Sequence, residues 1–309
     1  MRAAPSQPQA IVMSMSGRDM ALATLTSVIW GFGFVVGIFG LENFSPAQLT
    51  AVRFLIACLP VFVVRRPNLS WWWIVLIGST LFTGQFLLIF FALTHGLPPG
   101  VASVSQQMQA FVTVLLAAIF LRDTPSLRQC LGMTIAFAGL ALIGVTIGSD
   151  LKLTGLALGL AAAFSWAVGN VLVKRTSAVP MFPLVVWCSL VPPLPALVVS
   201  RIVDGDVSLL AAVLRASLLS IGAVIYLGAL ATIVAYAAWG YLLRRYSTSM
   251  VAPFALLAPC TGVVSSAVIF GEVPRPMRFA GMVLILTGLA VIVIRGERVR
   301  SVISGVRQR

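Results

Sequence analysis

The sequence predicts an all-α integral membrane protein of ten transmembrane helices, arranged as two inverted-topology five-helix repeats. Three observations lead there. The 309 residues are 60% hydrophobic and only 9% charged, with a mean hydropathy of +1.04, whereas a soluble domain carries about 25% charged residues. Apolar runs recur along the chain at about 20 residues each, the length that crosses a hydrocarbon core of about 30 Å. The second half repeats the first: Gly132 and Gly139 recur as Gly281 and Gly288, each 149 residues on.

The spans fall at 21–41, 46–64, 71–93, 99–121, 127–147, 153–173, 181–202, 217–243, 247–270 and 276–294. The first contains "WGFGF", with Trp30 and Gly33, and itself directs insertion, since residues 1–19 hold no apolar core of a cleaved signal. The second contains Arg53, the one formal charge well inside a span. Lying about two turns from the outer end, Arg53 can snorkel outward to Glu42 or loop carbonyls, or meet a substrate carboxylate. The third contains Gln85. The fourth contains "SVSQQMQAF", with Gln106, Gln107 and Gln109. The fifth, "GMTIAFAGLALI", has glycines spaced for close helix packing, with a faint hint of an oligomer contact.

The sixth span answers the first with "WAVGN": Trp166 and Gly169 stand in register with Trp30 and Gly33, and Asn170 follows. In the seventh, "VPPLP" (Val191 to Pro195) should kink or interrupt the helix. The eighth places Thr232, Tyr236 and Trp239 on one face at i, i+4, i+7. The ninth has Pro253 and Pro259 where the fourth has its glutamines. Pro259 removes a helix hydrogen bond and frees a carbonyl near Ala255, so specificity is expected mainly from the first half and bending from the second. The tenth, "GMVLILTGLAVI", repeats the fifth.

The net charge of +13 is a topology signal. With a cytoplasmic N-terminus, 15 of the 21 Lys and Arg fall on the cytoplasmic side and 5 on the other, Arg53 being the remaining one. The positive-inside rule then places both termini in the cytoplasm. The basic charge holds anionic lipid headgroups, and nucleic acid is not an expected partner. Cys58, Cys130, Cys188 and Cys260 lie inside spans without C-x-x-C spacing and read as small core residues, with no metal site or disulfide. The expected division is a cytoplasmic tail at 1–19, one repeat at 20–148, a second at 152–294, and a basic cytoplasmic tail at 295–309.

Five spans per half is an odd number, so the halves sit upside down relative to each other. That arrangement recurs in secondary transporters, where a central site opens alternately to each side. "WGFGFVVGIFGLENFSPAQLTAVRFLIACLP" resembles the opening of the EamA family, in the drug/metabolite transporter superfamily. "FSWAVGNVLVKR", "ASVSQQMQAF" and "ATIVAYAAWGYLLRRY" resemble its O-acetylserine/cysteine exporter branch, and the likeness covers about residues 20–294. The resemblance implies a multi-pass exporter of the inner (plasma) membrane, a small-molecule substrate of cysteine or O-acetylserine type, and no cofactor. It also implies acidic residues after the fourth and ninth spans, where Asp123 and Glu272 stand. Gln106 departs from the branch, which has an apolar residue there.

An unpaired amide in hydrocarbon costs several kcal/mol, so three within four residues demand partners. On a wheel of about 100° per residue, Val104, Met108, Phe111 and Leu115 form an apolar stripe expected to face lipid. Ser103, Gln106, Gln107 and Gln109 occupy the rest, either joining helices or lining a substrate path. An amide both donates and accepts, which suits a zwitterion. Gln85, Trp30, Trp166, Asn170, Tyr236, Trp239 and Arg53 are further candidates, the aromatics as packing or as an ammonium pocket. No Asp or Glu lies mid-membrane and His95 sits at an outer loop, so the usual proton relays lack their groups. The same absence argues against an intramembrane enzyme. A broader amino-acid or drug exporter and a non-transporting receptor or scaffold are the other readings.

Overall fold

The computed structural model describes residues 15–121, 125–146, 150–176, 179–205, 208–246, 251–273 and 275–293. Asp123 and most of both tails lie outside them. All regular elements among the described residues are helical. Apolar helices follow in chain order as α1 (Gly17–Leu41), α2 (Pro46–Phe62), α3 (Trp71–Thr94), α4 (Pro99–Leu121), α5 (Leu127–Gly144), α6 (Leu153–Arg175), α7 (Met181–Val203), α8 (Leu218–Arg245), α9 (Phe254–Phe270) and α10 (Pro276–Val293). Seven of these are long and apolar enough to cross a membrane; α2, α9 and the apolar stretch Pro276–Val291 of α10 are shorter. Between α7 and α8 lies a short helix, Leu209–Arg215, that the hydropathy pattern does not announce.

Local chemistry sets the boundaries. Ser16, Ser45 and Ser126 cap α1, α2 and α5 by accepting from the amides of Asp19, Gln48 and Gln129, and the last two are full capping boxes. Pro60 closes α2 in a 3₁₀ turn, Leu59–Phe62. The proline pair of "VPPLP" divides α7 into Met181–Cys188 and Pro193–Val203, as expected from the lost amide donors.

Several helices are irregular at depth. α3 winds as a π-helix over Gly78–Gly84, and α8 does so over Tyr226–Val234. Thr83 and Thr232, 149 residues apart, each donate a hydroxyl to the carbonyl five residues back: Gly78 O at 3.2 Å and Leu227 O at 2.8 Å. α4 breaks at Gln106–Gln107, and α9 follows a 3₁₀ segment, Ala252–Leu256. Bending is therefore built into both halves, not concentrated in the second.

The repeat-related helices α5 and α10 pack against each other, antiparallel. Gly139 meets Gly281, and Gly132 meets Gly288. A Cβ on Gly139 would stand 2.5 Å from Gly281 O, and one on Gly281 would stand 2.6 Å from Gly139 O. These glycines are thus occupied within the chain and carry no oligomer signal. Side chains on the outer surface are themselves apolar, among them Phe62, Leu194, Leu218 and Val268, which suits contact with lipid. Cys260 is exposed there, contrary to its expected core position, whereas Cys188 is buried.

Polar contacts close both ends. At the end that holds His95–Pro98, Arg278 donates to Asp150 at 2.6 Å, and this bond holds the Asp150 carboxyl below its usual range. Glu272 there accepts from the Gly100 amide at 3.1 Å and from the Ser266 hydroxyl. At the opposite end, Asp19 accepts from the Tyr246 hydroxyl and sits 3.6 Å from Arg245.

The glycine crossing yields a direct test. Gly139→Val should cost about 1–3 kcal/mol by overpacking. Gly144→Ala, with nothing within 4 Å of the added Cβ, should leave stability unchanged. Thermal unfolding of the purified protein in detergent compares the two.

Candidate functional site

A cavity of about 310 Å³ lies inside the bundle, within the range of small-molecule sites. The irregular turns border it. Leu81 comes from the π region of α3 and Gln85 directly follows it, while Leu227 and Ala231 come from the π region of α8. Gln106, Gln107 and Gln109 come from the break in α4, and Ala255 and Ala258 from the start of α9. Non-helical backbone at membrane depth is tolerated where it lines a cavity or is buried in protein.

The break in α4 explains the glutamines and corrects the wheel. The amides of Gln107, Gln109 and Ala110 bond the carbonyls three residues back, Val104, Gln106 and Gln107, at 2.9, 3.1 and 3.0 Å. This tightening rotates the following turns relative to the preceding ones, so a uniform 100° step misplaces them. Val104, Met108 and Phe111 are buried in the bundle instead of facing lipid; only Leu115 of that stripe is exposed.

Each amide then finds a different environment. Gln106 is 1% exposed; its Nε2 donates to Gly159 O at 2.9 Å and its Oε1 has no partner among the described residues. Gln107 is half-buried, with one long bond of 3.4 Å from Nε2 to Ser103 O. Gln109 Oε1 accepts from Asn170 Nδ2 at 2.7 Å, and Asn170 also reaches Thr113 Oγ1 at 3.3 Å. Gln85 is buried with its Oε1 unpartnered. Ser103 does not line the cavity. Its hydroxyl donates to Gly100 O at 2.8 Å and to Pro259 O at 3.2 Å, which ties α4 to α9. Ser103 is helix-joining because α9 approaches so closely there that a Cβ on Gly262 would overlap it.

The aromatic candidates converge on one wall. The Trp30 ring lies 5.2 Å from both Tyr236 and Trp239, and its Nε1 donates to Ala231 O at 2.9 Å. Trp166 lines the cavity from α6. Gly33 faces open space, with Leu227 at 3.8 Å, whereas Gly169 is pressed against Leu81.

Arg53 does not snorkel. It is 5% exposed, and its Nε and Nη2 donate to Thr232 Oγ1 at 3.4 and 3.1 Å. Its guanidinium carbon lies 3.8 Å from the centre of the Phe86 ring. The bundle, closed by α8 on that side, leaves no outward route. The cavity therefore gathers Trp30, Arg53, Gln85, Gln106, Gln107, Gln109, Trp166, Asn170, Tyr236 and Trp239, and omits Ser103. Phe34, Phe86, Ile89 and Phe90 also line it; in sequence they are indistinguishable from lipid-facing residues. A second cavity of about 460 Å³ lies at the His95–Pro98 end, bordered by Gly100, Asp150, Glu272 and Arg278, and Leu93 borders both.

Comparison with known proteins follows this geometry. The family described as "EamA-like transporter family" matches residues 18–145 and 153–294. A "Probable amino-acid metabolite efflux pump" of Salmonella typhimurium is 39% identical, covering 93% of this chain and 98% of its own. One with the same description from Escherichia coli is 38% identical, covering 90% and 95%. A "Probable terminal-alkyne amino-acid exporter" of Streptantibioticus cattleyicolor is 28% identical, covering 91% and 94%. A solved crystal structure shares the fold at a TM-score of 0.62 and 19% identity, covering 90% of this chain and 98% of its own.

The Gln109–Asn170 bond is measurable. Gln109→Leu and Asn170→Leu should each lower stability, and the double variant should be less destabilised than their sum by about 1 kcal/mol. A double-mutant cycle on thermal unfolding reads this coupling.

Proposed function

This chain belongs to the EamA-like transporter family, and from that premise we propose that it exports small neutral amino-acid metabolites by alternating access. The observation that carries the reading is the central cavity, lined by amides and aromatics from both halves at the irregular turns of α3, α4, α8 and α9. Leu93 borders both cavities and so stands between the centre and the His95–Pro98 end.

The ten helices form two inverted repeats, 20–148 and 152–294. The antiparallel crossing of α5 and α10 supports this: repeat-related helices related by an axis along the membrane normal would run parallel, and an axis in the membrane plane reverses them. The paired π segments with their matched threonines support the duplication itself. Both termini lie in the cytoplasm, in keeping with the charge distribution. The substrates are of cysteine or O-acetylserine type, small enough for the cavity. A second reading, a broader amino-acid exporter, gains from the apolar wall of Phe34, Phe86, Ile89 and Phe90, which suits larger apolar side chains.

Two measurements test this reading. A reporter fused after Arg309 should report cytoplasm and one at Asp204–Gly205 the other side; reporters on the same side would refute the ten-helix count. In inverted vesicles, labelled cysteine, O-acetylserine and other amino acids should accumulate. Gln107→Leu should weaken the preferred substrate by about 1–3 kcal/mol, roughly 5- to 150-fold, because Gln107 lines the cavity with little intramolecular bonding to lose. Unchanged transport per folded molecule would move the site away from the α4 break.

A further inference from the structure

Arg53 is a buried cation with an unusual set of partners. Its hydrogen bonds go to one neutral oxygen, Thr232 Oγ1. That hydroxyl gives its own proton to Leu227 O. Phe86 and Phe54 stack on the guanidinium, at 3.8 and 5.4 Å from their ring centres. No carboxylate among the described residues pairs with Arg53: Asp19 and Asp150 pair elsewhere, and Glu272 is bonded to Gly100 and Ser266. Nη1 makes no hydrogen bond among the described residues, and the residue lines the central cavity. A buried charge without a counter-charge is strongly unfavourable, and here its unused donors border a space of ligand size.

The Oε1 atoms of Gln85 and Gln106 have no partner among the described residues, but both atoms are fully buried behind the cavity lining, with no room for a ligand donor beside them. What this wall offers a ligand is the cation with free donors.

Resting on the exporter reading above, we propose that Arg53 receives the free carboxylate of the substrate. The transported class is then the amino acid with its carboxylate free and ionised. Amino-acid esters, amides and decarboxylated amines are excluded. The fork of the guanidinium matches the two oxygens of a carboxylate, and Thr232 and Phe86 hold the fork in place. A dianion such as a phosphate ester fits less well, since a single cation faces it.

The test uses the full chain in proteoliposomes, with counterflow of labelled L-cysteine or of whichever amino acid the vesicle panel identifies. Competitors are the unlabelled amino acid, its methyl ester, its decarboxylated amine and its deaminated acid. In the wild type, the ester and the amine should compete about 10- to 100-fold more weakly than the amino acid. In Arg53→Gln and Arg53→Met that advantage should collapse to within about 3-fold, while the deaminated acid, which keeps the carboxylate, should compete in the wild type better than the ester and the amine. Equal competition by ester and amino acid in the wild type overturns the proposal, and this arm needs no variant to fold. If the wild type carries no amino acid at all, the exporter reading falls and this one with it. Transport without carboxylate discrimination overturns this proposal alone.

Discussion

Hydrocarbon offers no hydrogen bonds, so every backbone group at membrane depth must be satisfied by the chain itself. The structure follows from how that constraint is met where helices are irregular. In the two π segments, Thr83 and Thr232 return their hydroxyls to carbonyls of the same turn. Other carbonyls near the irregular turns are taken by neighbouring helices: Thr80 O by the Ser165 hydroxyl at 2.7 Å, Ala231 O by the Trp30 indole, and Pro259 O by Ser103. Each such bond joins one half of the chain to the other. The departures from regular helix that open the cavity are therefore also what fasten the two halves together.

The duplication is close in backbone and divergent in chemistry. Repeat-related α5 and α10 meet through glycines, where only the absence of Cβ allows the approach. α3 and α8 share the π winding, and α4 and α9 share a tightened turn. Side chains at those matched turns differ: glutamines in α4, and a proline at the corresponding place in α9. Two copies of one scaffold thus surround a space whose walls are unlike, which is what an asymmetric ligand requires.

The cavity combines a mostly apolar wall with a few polar groups, the usual composition of small-molecule sites. Its polar groups are unequal. Gln109 and Asn170 satisfy each other, and Ser103 serves helix contact. Arg53, Gln85 and Gln106 keep unused hydrogen-bonding capacity. Polar residues that look alike in a hydropathy profile are thus sorted by their neighbours into joints and groups with spare hydrogen-bonding capacity.

Composition and apolar run length determined by themselves that the chain is an all-helical membrane protein, because crossing a bilayer imposes a length and polarity that a sequence displays directly. The duplication was equally legible, since the paired glycines and tryptophans keep their spacing, and serines and prolines marked helix ends through local bonds. The interior of α4 was not legible. A uniform wheel gives it one apolar stripe toward lipid, but Pro99–Ser105 is buried on every side, Val104 included, and Met108 and Phe111 are buried beyond the tightened turn at Gln106–Gln107. Nor was the fate of Arg53, which depends on Thr232 and Phe86 brought up from 179 and 33 residues away. Helical periodicity encodes which residues share a face. Only packing decides whether that face meets lipid, another helix or a cavity, because an apolar residue is equally at home against all three.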